Sequence, residues 1–324
     1  MKHNWQIIFI IIILLGTNSC VNIVIEKDNK LPIAISSFFT NDSIFKVKIS
    51  SMINIGESDF KTVGVEEMKL INQTTSDIFI LTPENQTSDI YSNNKINIEK
   101  GDILTLEITS GDSNTKIFAT DSIPQKEPLF SISNFGFEIT KESSHYSVKR
   151  KASILLEPQL NENEISYYEL EVYLKIDNGY SSSDVFNKSG WLKTTTNLIT
   201  SEDYYPTSTT IDKSYPATLL FKVEGDTTNI LIDFIYSVGF EAGRKGTKSY
   251  AHDLKVNLKS INKAYYKYLA AFYLQSSTIS GDIIYGASQP VFIKGNVENA
   301  YGIFAGYNCS SKIIHLDEYI FHRE

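Results

Sequence analysis

The sequence predicts a mainly β protein: an N-terminal Ig-like β-sandwich over residues 31–124, then a second antiparallel β domain over residues 125–324 with one amphipathic helix. Three observations predict it. Short runs of period-two alternation recur along the chain, separated by polar connectors rich in Asn, Ser, Thr and Asp. Pro124 and Pro128 stiffen an extended link where the first set of runs ends, and they forbid a helix through it. One stretch, near residues 261–275, changes its apolar period from two to that of a helix.

The chain opens differently. Lys2 supplies a positive charge, Ile7 to Leu15 is an unbroken apolar run, and small and polar residues from Gly16 to Ser19 lead to Cys20. That order reads as a secretory signal over residues 1–19. The run is too short to span a bilayer, which needs ~20 residues. A cysteine placed directly after Leu15-Gly16-Thr17-Asn18-Ser19 resembles the lipobox of bacterial lipoproteins. That resemblance implies cleavage before Cys20 and a diacylglycerol on its thiol, so that several acyl chains, palmitate included, sit on one residue. Two or more chains on one residue anchor stably, where a single chain is marginal. Residues 20–30, ending in EKDNK, then read as a lipidated tether.

From Leu31 the strands begin. Phe45, Val47 and Ile49 alternate with Lys46, Lys48 and Ser50, giving one buried face. Leu104, Leu106 and Ile108 alternate with Thr105, Glu107 and Thr109 behind a Gly101-Asp102 turn. Past the proline link, Tyr168, Leu170, Val172, Leu174 and Ile176 face one way, and Tyr167, Glu169, Glu171, Tyr173 and Lys175 the other. Ile230 to Val238 is nearly continuously apolar, the pattern of a strand covered on both faces. Leu254, Val256 and Leu258 alternate again, and these last two runs read as a hairpin around a glycine-rich basic tip. Residues 180–216 read as loops and irregular edges. In the helix, Ile261, Tyr265, Tyr268, Leu269 and Phe272 form one stripe, with Ser260 as its N-cap. Tyr266 and Tyr273 fall off that stripe and are expected to be exposed.

Composition narrows the function. With 42% hydrophobic and 12% aromatic residues the chain has material for a real core. A net charge of −8 without a basic block argues against nucleic acid as a partner. Two cysteines make neither a disulfide framework nor a cysteine-rich zinc module, and Cys309 reads as a packed or half-exposed thiol rather than a nucleophile. His252-Asp253 and His315 with Asp317 and Glu318 read as surface hydrogen-bonding pairs. No Gly-x-Ser-x-Gly elbow or His-Glu-x-x-His helix appears, and the glycines of GFEAGRKGTKS lack phosphate-loop spacing. The sequence therefore calls for no catalytic residues, no metal and no cofactor. Arg244, Lys245 and Lys248 on that loop are candidates for touching an acidic partner loop or lipid headgroups.

The order of these pieces is similar to one family. LPIAISSFFTND with FKVKISS, GDILTLEIT with IFATDSIP, DLKVNLKSINKAYYKYLAAF, and PVFIKGNVENAYGIFAGY together resemble the domain of unknown function 4249 family of bacterial outer-membrane lipoproteins. The resemblance implies a two-part, mostly β body anchored through Cys20 at the outer membrane, on its periplasmic face or at the cell surface. It also implies a neighbourhood, that of TonB-dependent outer-membrane transporters, with the protein as a non-enzymatic accessory partner. It supplies no ligand-binding residue. An independent glycan-binding or adhesion lipoprotein, stacking sugars on Tyr266 or Tyr273, is the alternative.

Overall fold

The computed structural model describes residues 33–51, 63–85, 88–111, 115–142, 145–157, 164–176, 191–193, 196–198, 218–224, 230–237, 247–249, 252–281, 293–317 and 319–321. Cys20, the signal and the tether lie outside them, as do Arg244 and Lys245. The protein is mainly β. Its first part carries β1 (Ile33–Phe39), β2 (Phe45–Ser51), β3 (Val65–Asn72), β4 (Ile78–Ile80), β5 (Thr82–Pro83), β6 (Ile90–Asn93), β7 (Ile103–Ser110) and β8 (Lys116–Ser122). Then come β9 (Leu129–Glu142), β10 (His145–Glu157), β11 (Ile165–Ile176), β12 (Leu192–Lys193), β13 (Thr196–Leu198), β14 (Leu219–Glu224), β15 (Ile230–Ser237), β16 (Thr247–Ser249) and β17 (His252–Ile261). Helix α1 (Lys263–Gly281) precedes β18 (Val297–Glu298), β19 (Tyr301–Leu316) and β20 (Tyr319–Phe321).

One long sheet organises the molecule. Its strand order is β12-β11-β17-β19-β1-β2-β6-β5, and β14 also pairs with β11. A five-stranded sheet, β18-β8-β7-β3-β4, faces the β1–β2 end. Between them lies the first core, with Ile35, Phe39, Val47, Leu70, Leu104, Leu106 and Phe304. A four-stranded sheet, β13-β15-β10-β9, faces the β11–β17 end. Here Ile154, Leu156, Leu170, Val172, Phe221, Phe234, Val256 and Leu258 build the second core. Period two is what lets each strand serve a core with one face only. The alternating residues predicted at 45–49, 104–108, 168–174 and 254–258 are all buried.

β19 joins the two halves of the long sheet. Its residues 301–306 pair in parallel with β1, Ile35 opposite Gly302, and its residues 307–316 pair antiparallel with β17. Gly302 has φ 107°, and a Cβ there would lie 1.9 Å from the Ile35 carbonyl oxygen. At Gly306 a Cβ would come within 2.4 Å of the Ser122 carbonyl oxygen. Only glycine lets β19 pass this closely between β1 and the end of β8. Asn296 pins the same passage, accepting from Phe304 N at 3.0 Å and donating to Phe304 O at 2.7 Å.

Three expectations about the strands and the helix start fail. Residues 230–237 and 252–261 form no hairpin: β15 pairs with β10 and β13, β17 with β11 and β19, and the two strands lie in different sheets. β16 falls between them in sequence and pairs with β20. Nor is β15 covered on both faces, because Leu231 is 49% exposed while Ile232, Phe234 and Tyr236 are buried. Asp233, two residues from Leu231, is the mark in the sequence of the face that meets solvent. The helix also starts later than expected. Ser260 and Ile261 complete β17 opposite Tyr168 and Tyr167 of β11, so Asn262 is the residue before the first turn.

Candidate functional site

The alternation of β11 sends Tyr168, Leu170, Val172 and Leu174 into the second core and Glu169 and Glu171 to the opposite face. Such carboxylates ordinarily stand in water. Here α1 lies over that face, touching β11 and β19, and the two are only 2% and 6% exposed. Across the ladder, Lys259 of β17 stands directly opposite Glu169. Its Nζ reaches Glu169 Oε2 at 2.9 Å and Glu171 Oε2 at 3.0 Å. The Lys259 side chain is 12% exposed.

Hydroxyl groups complete the cluster. Tyr265, on the first turns of α1, donates to Glu169 Oε2 at 2.8 Å. Thr218 donates to Glu169 Oε1 at 3.0 Å, and Tyr173 to Glu171 Oε2 at 3.1 Å. The Lys259 ammonium also sits 5.0 Å from the Tyr307 ring centre, within range of the ring's negative face. Burial pulls the Lys259 pKa down, but Glu169, Tyr265 and Glu171 outweigh it and hold the ammonium well above its ordinary range. Burial first, and Glu169 second, push the Tyr265 hydroxyl well up, so it remains a donor. Burial likewise raises Tyr173, Tyr273 and Tyr307. The result is one ammonium shared by two carboxylates and ringed by neutral phenols. Its chemistry is that of holding: five of the six hydrogen-bonded groups stand on β11, on β17 or directly before β14, and the sixth, Tyr265, ties α1 to them.

A second polar joint fixes the start of α1. Asn262 donates at 2.7 Å both to Asp121 Oδ1 and to Ser122 O. Asp121 Oδ2 accepts from Gly306 N at 3.0 Å. Burial raises the Asp121 carboxyl to about 6, against the opposing pull of these hydrogen bonds. Asn308, in turn, donates to Pro124 O at 3.0 Å. The end of β8, the beginning of α1 and the middle of β19 thus meet at one place.

The residues singled out in the sequence land as follows. Tyr265 and Leu269 of the predicted stripe are buried, Tyr268 and Phe272 half-buried. Tyr266 is not exposed. It is buried against Tyr167, ring centres 5.0 Å apart, and Tyr273 is half-buried. α1 nests over two strands and the β14 edge, so it is covered along a wider arc than one stripe. His315 is exposed and donates from Nδ1 to Asp253 Oδ1 at 2.9 Å, as a surface pair does. His252, by contrast, is fully buried and shares a hydrogen bond with Tyr236 OH at 3.3 Å. It alternates with Leu254 and Val256 on the core face of β17. Cys309 is a half-buried free thiol raised by its burial, a poor nucleophile. Lys248 lies on β16 opposite Ile320.

The Glu169–Lys259 cluster escapes a reading of the sequence because its parts come from four segments. The available signal is two carboxylates two apart on the free face of a strand whose other face is wholly apolar. Among the described residues, no group of three or more His, Cys, Asp or Glu side chains is placed to hold a metal ion. Among the same residues no helix is long and apolar enough to cross a membrane.

A stretch of 107 residues, 33% of this chain, is 25% identical to a protein of Clostridium acetobutylicum named as a probable serine/threonine-protein kinase. The stretch spans only 16% of that protein's length. A family-wide likeness covers far more. Residues 20–313 match the family described as Domain of unknown function (DUF4249), and at that extent the chain belongs to this family.

Proposed function

We propose that this protein is a lipoprotein anchored at the outer membrane through Cys20, acting by contact as a non-enzymatic accessory of a TonB-dependent transporter. The observation that carries the reading is the N-terminal sequence: a charged start, the Ile7–Leu15 apolar run, and Cys20 directly after a short small and polar stretch. The family match opens at that same residue. The buried polar groups support contact rather than bond-making, since Glu169, Glu171 and Lys259 are consumed in pairing with one another and, through Glu169, in holding Tyr265 of α1. The alternative, an independent glycan-binding module, needs aromatics other than the buried Tyr266. Tyr273, half-buried, stays a candidate for it, and Trp191 and Tyr173, half-buried with Lys255 Nζ 5.9 Å from each ring centre, are further described rings that fit it.

Labelling cells with radioactive palmitate tests the anchor, and crosslinking in intact cells tests the partner. The expected outcome is label in the native chain, none in Cys20→Ser, and loss of that variant from the membrane fraction. The crosslinked partner is expected to be a β-barrel transporter. A Cys20→Ser protein equally bound to membranes would remove the anchor, and crosslinks only to polysaccharide would favour the alternative.

A further inference from the structure

We propose that α1 is a releasable strap, one that lifts from the long sheet while both sandwiches remain folded. Three observations support this. The face beneath α1 holds three ionised side chains, Glu169, Glu171 and Lys259, where an ordinary helix-on-sheet contact would hold apolar ones. A charged network gives a weaker interface than well-packed apolar groups, because desolvating the ions consumes much of their attraction. Such a face also tolerates uncovering, since the ions regain water when the helix leaves.

The strands beneath do not need the helix. β11 and β17 are secured from their other face by Leu170, Val172, Leu174, Leu254, Val256 and Leu258, all in the second core. The strap's own grip is concentrated at its beginning. Asn262 bonds Asp121 and Ser122, Tyr265 bonds Glu169, and beyond Leu269 the described side chains Phe272 and Tyr273 are half-buried. Release therefore requires breaking a few polar contacts and opening the third apolar cluster, in which Tyr265, Tyr266 and Leu269 of α1 meet Leu220, Ile303 and Ala305. This inference stands independently of the membrane anchor.

Native-state hydrogen exchange on the full chain tests it. Amides of α1 are expected to exchange about 100-fold faster than those of β17, which open only with the global fold. Tyr265→Phe, which removes one hydroxyl contact, is expected to speed α1 exchange severalfold and leave β17 unchanged. The triple Glu169→Leu, Glu171→Leu, Lys259→Leu variant, built on Tyr265→Phe so that the helix hydroxyl is not left unpaired, is expected to slow α1 exchange about tenfold, as apolar replacement of a buried ion triad tightens an interface. Exchange of α1 and β17 at one common rate in the native chain overturns the proposal, whether or not the triple variant folds. So does Tyr265→Phe without effect on α1.

Discussion

Asp121 is a carboxylate kept from water at the meeting of β8, α1 and β19, and its proton is the most easily read consequence of that position. Its pKa in the folded protein, about 6, lies above the value near 4 of an unfolded chain. The folded state thus binds this proton more tightly. The stability it contributes is fully present below about pH 4 and is lost as pH rises through about 6. The difference corresponds to roughly 3 kcal/mol between pH 4 and pH 7. Asp121→Asn is expected to remove this fall, and urea denaturation of both proteins at pH 5, 6 and 7 measures it. An unchanged pH profile in the variant would assign the dependence elsewhere. At this scale the sequence is half informative. The apolar alternation of 168–174 is plain from composition alone, and the structure buries those residues as expected. That Glu169 is as buried as its neighbours is not, because its partners Lys259, Thr218 and Tyr265 are distant in sequence and meet only through strand pairing.

Among the elements, β19 is the most demanding. The Gly-Asn pair and the later glycines of PVFIKGNVENAYGIFAGY stand out in the sequence, and the structure supplies their reason: β19 threads between β1 and the end of β8. Gly302→Ala would add a methyl carbon onto the β1 backbone in a conformation that side chains disfavour. A loss on the order of 4 kcal/mol is expected, read as a drop in Tm or as failure to accumulate folded protein. A Tm within a few degrees of the parent's would show that β1 and β19 yield there. The helix was visible from its period, while its start was not. Nothing in Ser260 or Asn262 by itself decides where a strand stops. The pairing of Ile261 with Tyr167 and Tyr307 decides it.

For the whole molecule the decisive fact is that one sheet serves two cores. Residues 31–324 form one compact unit, and β19 contributes Phe304 to the first core and Leu316 to the edge of the second. Denaturation is therefore expected to be a single transition, with far-UV circular dichroism and tryptophan fluorescence coinciding. Two separated transitions would show that the sandwiches melt independently. The mainly β class was open to sequence reasoning because it rests on local alternation. The parallel pairing of β1 with β19 was not, since partners this far apart along the chain leave no local trace.

That pairing has a temporal consequence. A polypeptide is made from its N-terminus, so Ile35 waits beside a vacant ladder until the segment around Gly302 has been synthesised. The first sandwich cannot close early and shelter the remainder. The nascent protein has to stay unfinished, β1 bare on one edge, until that segment arrives.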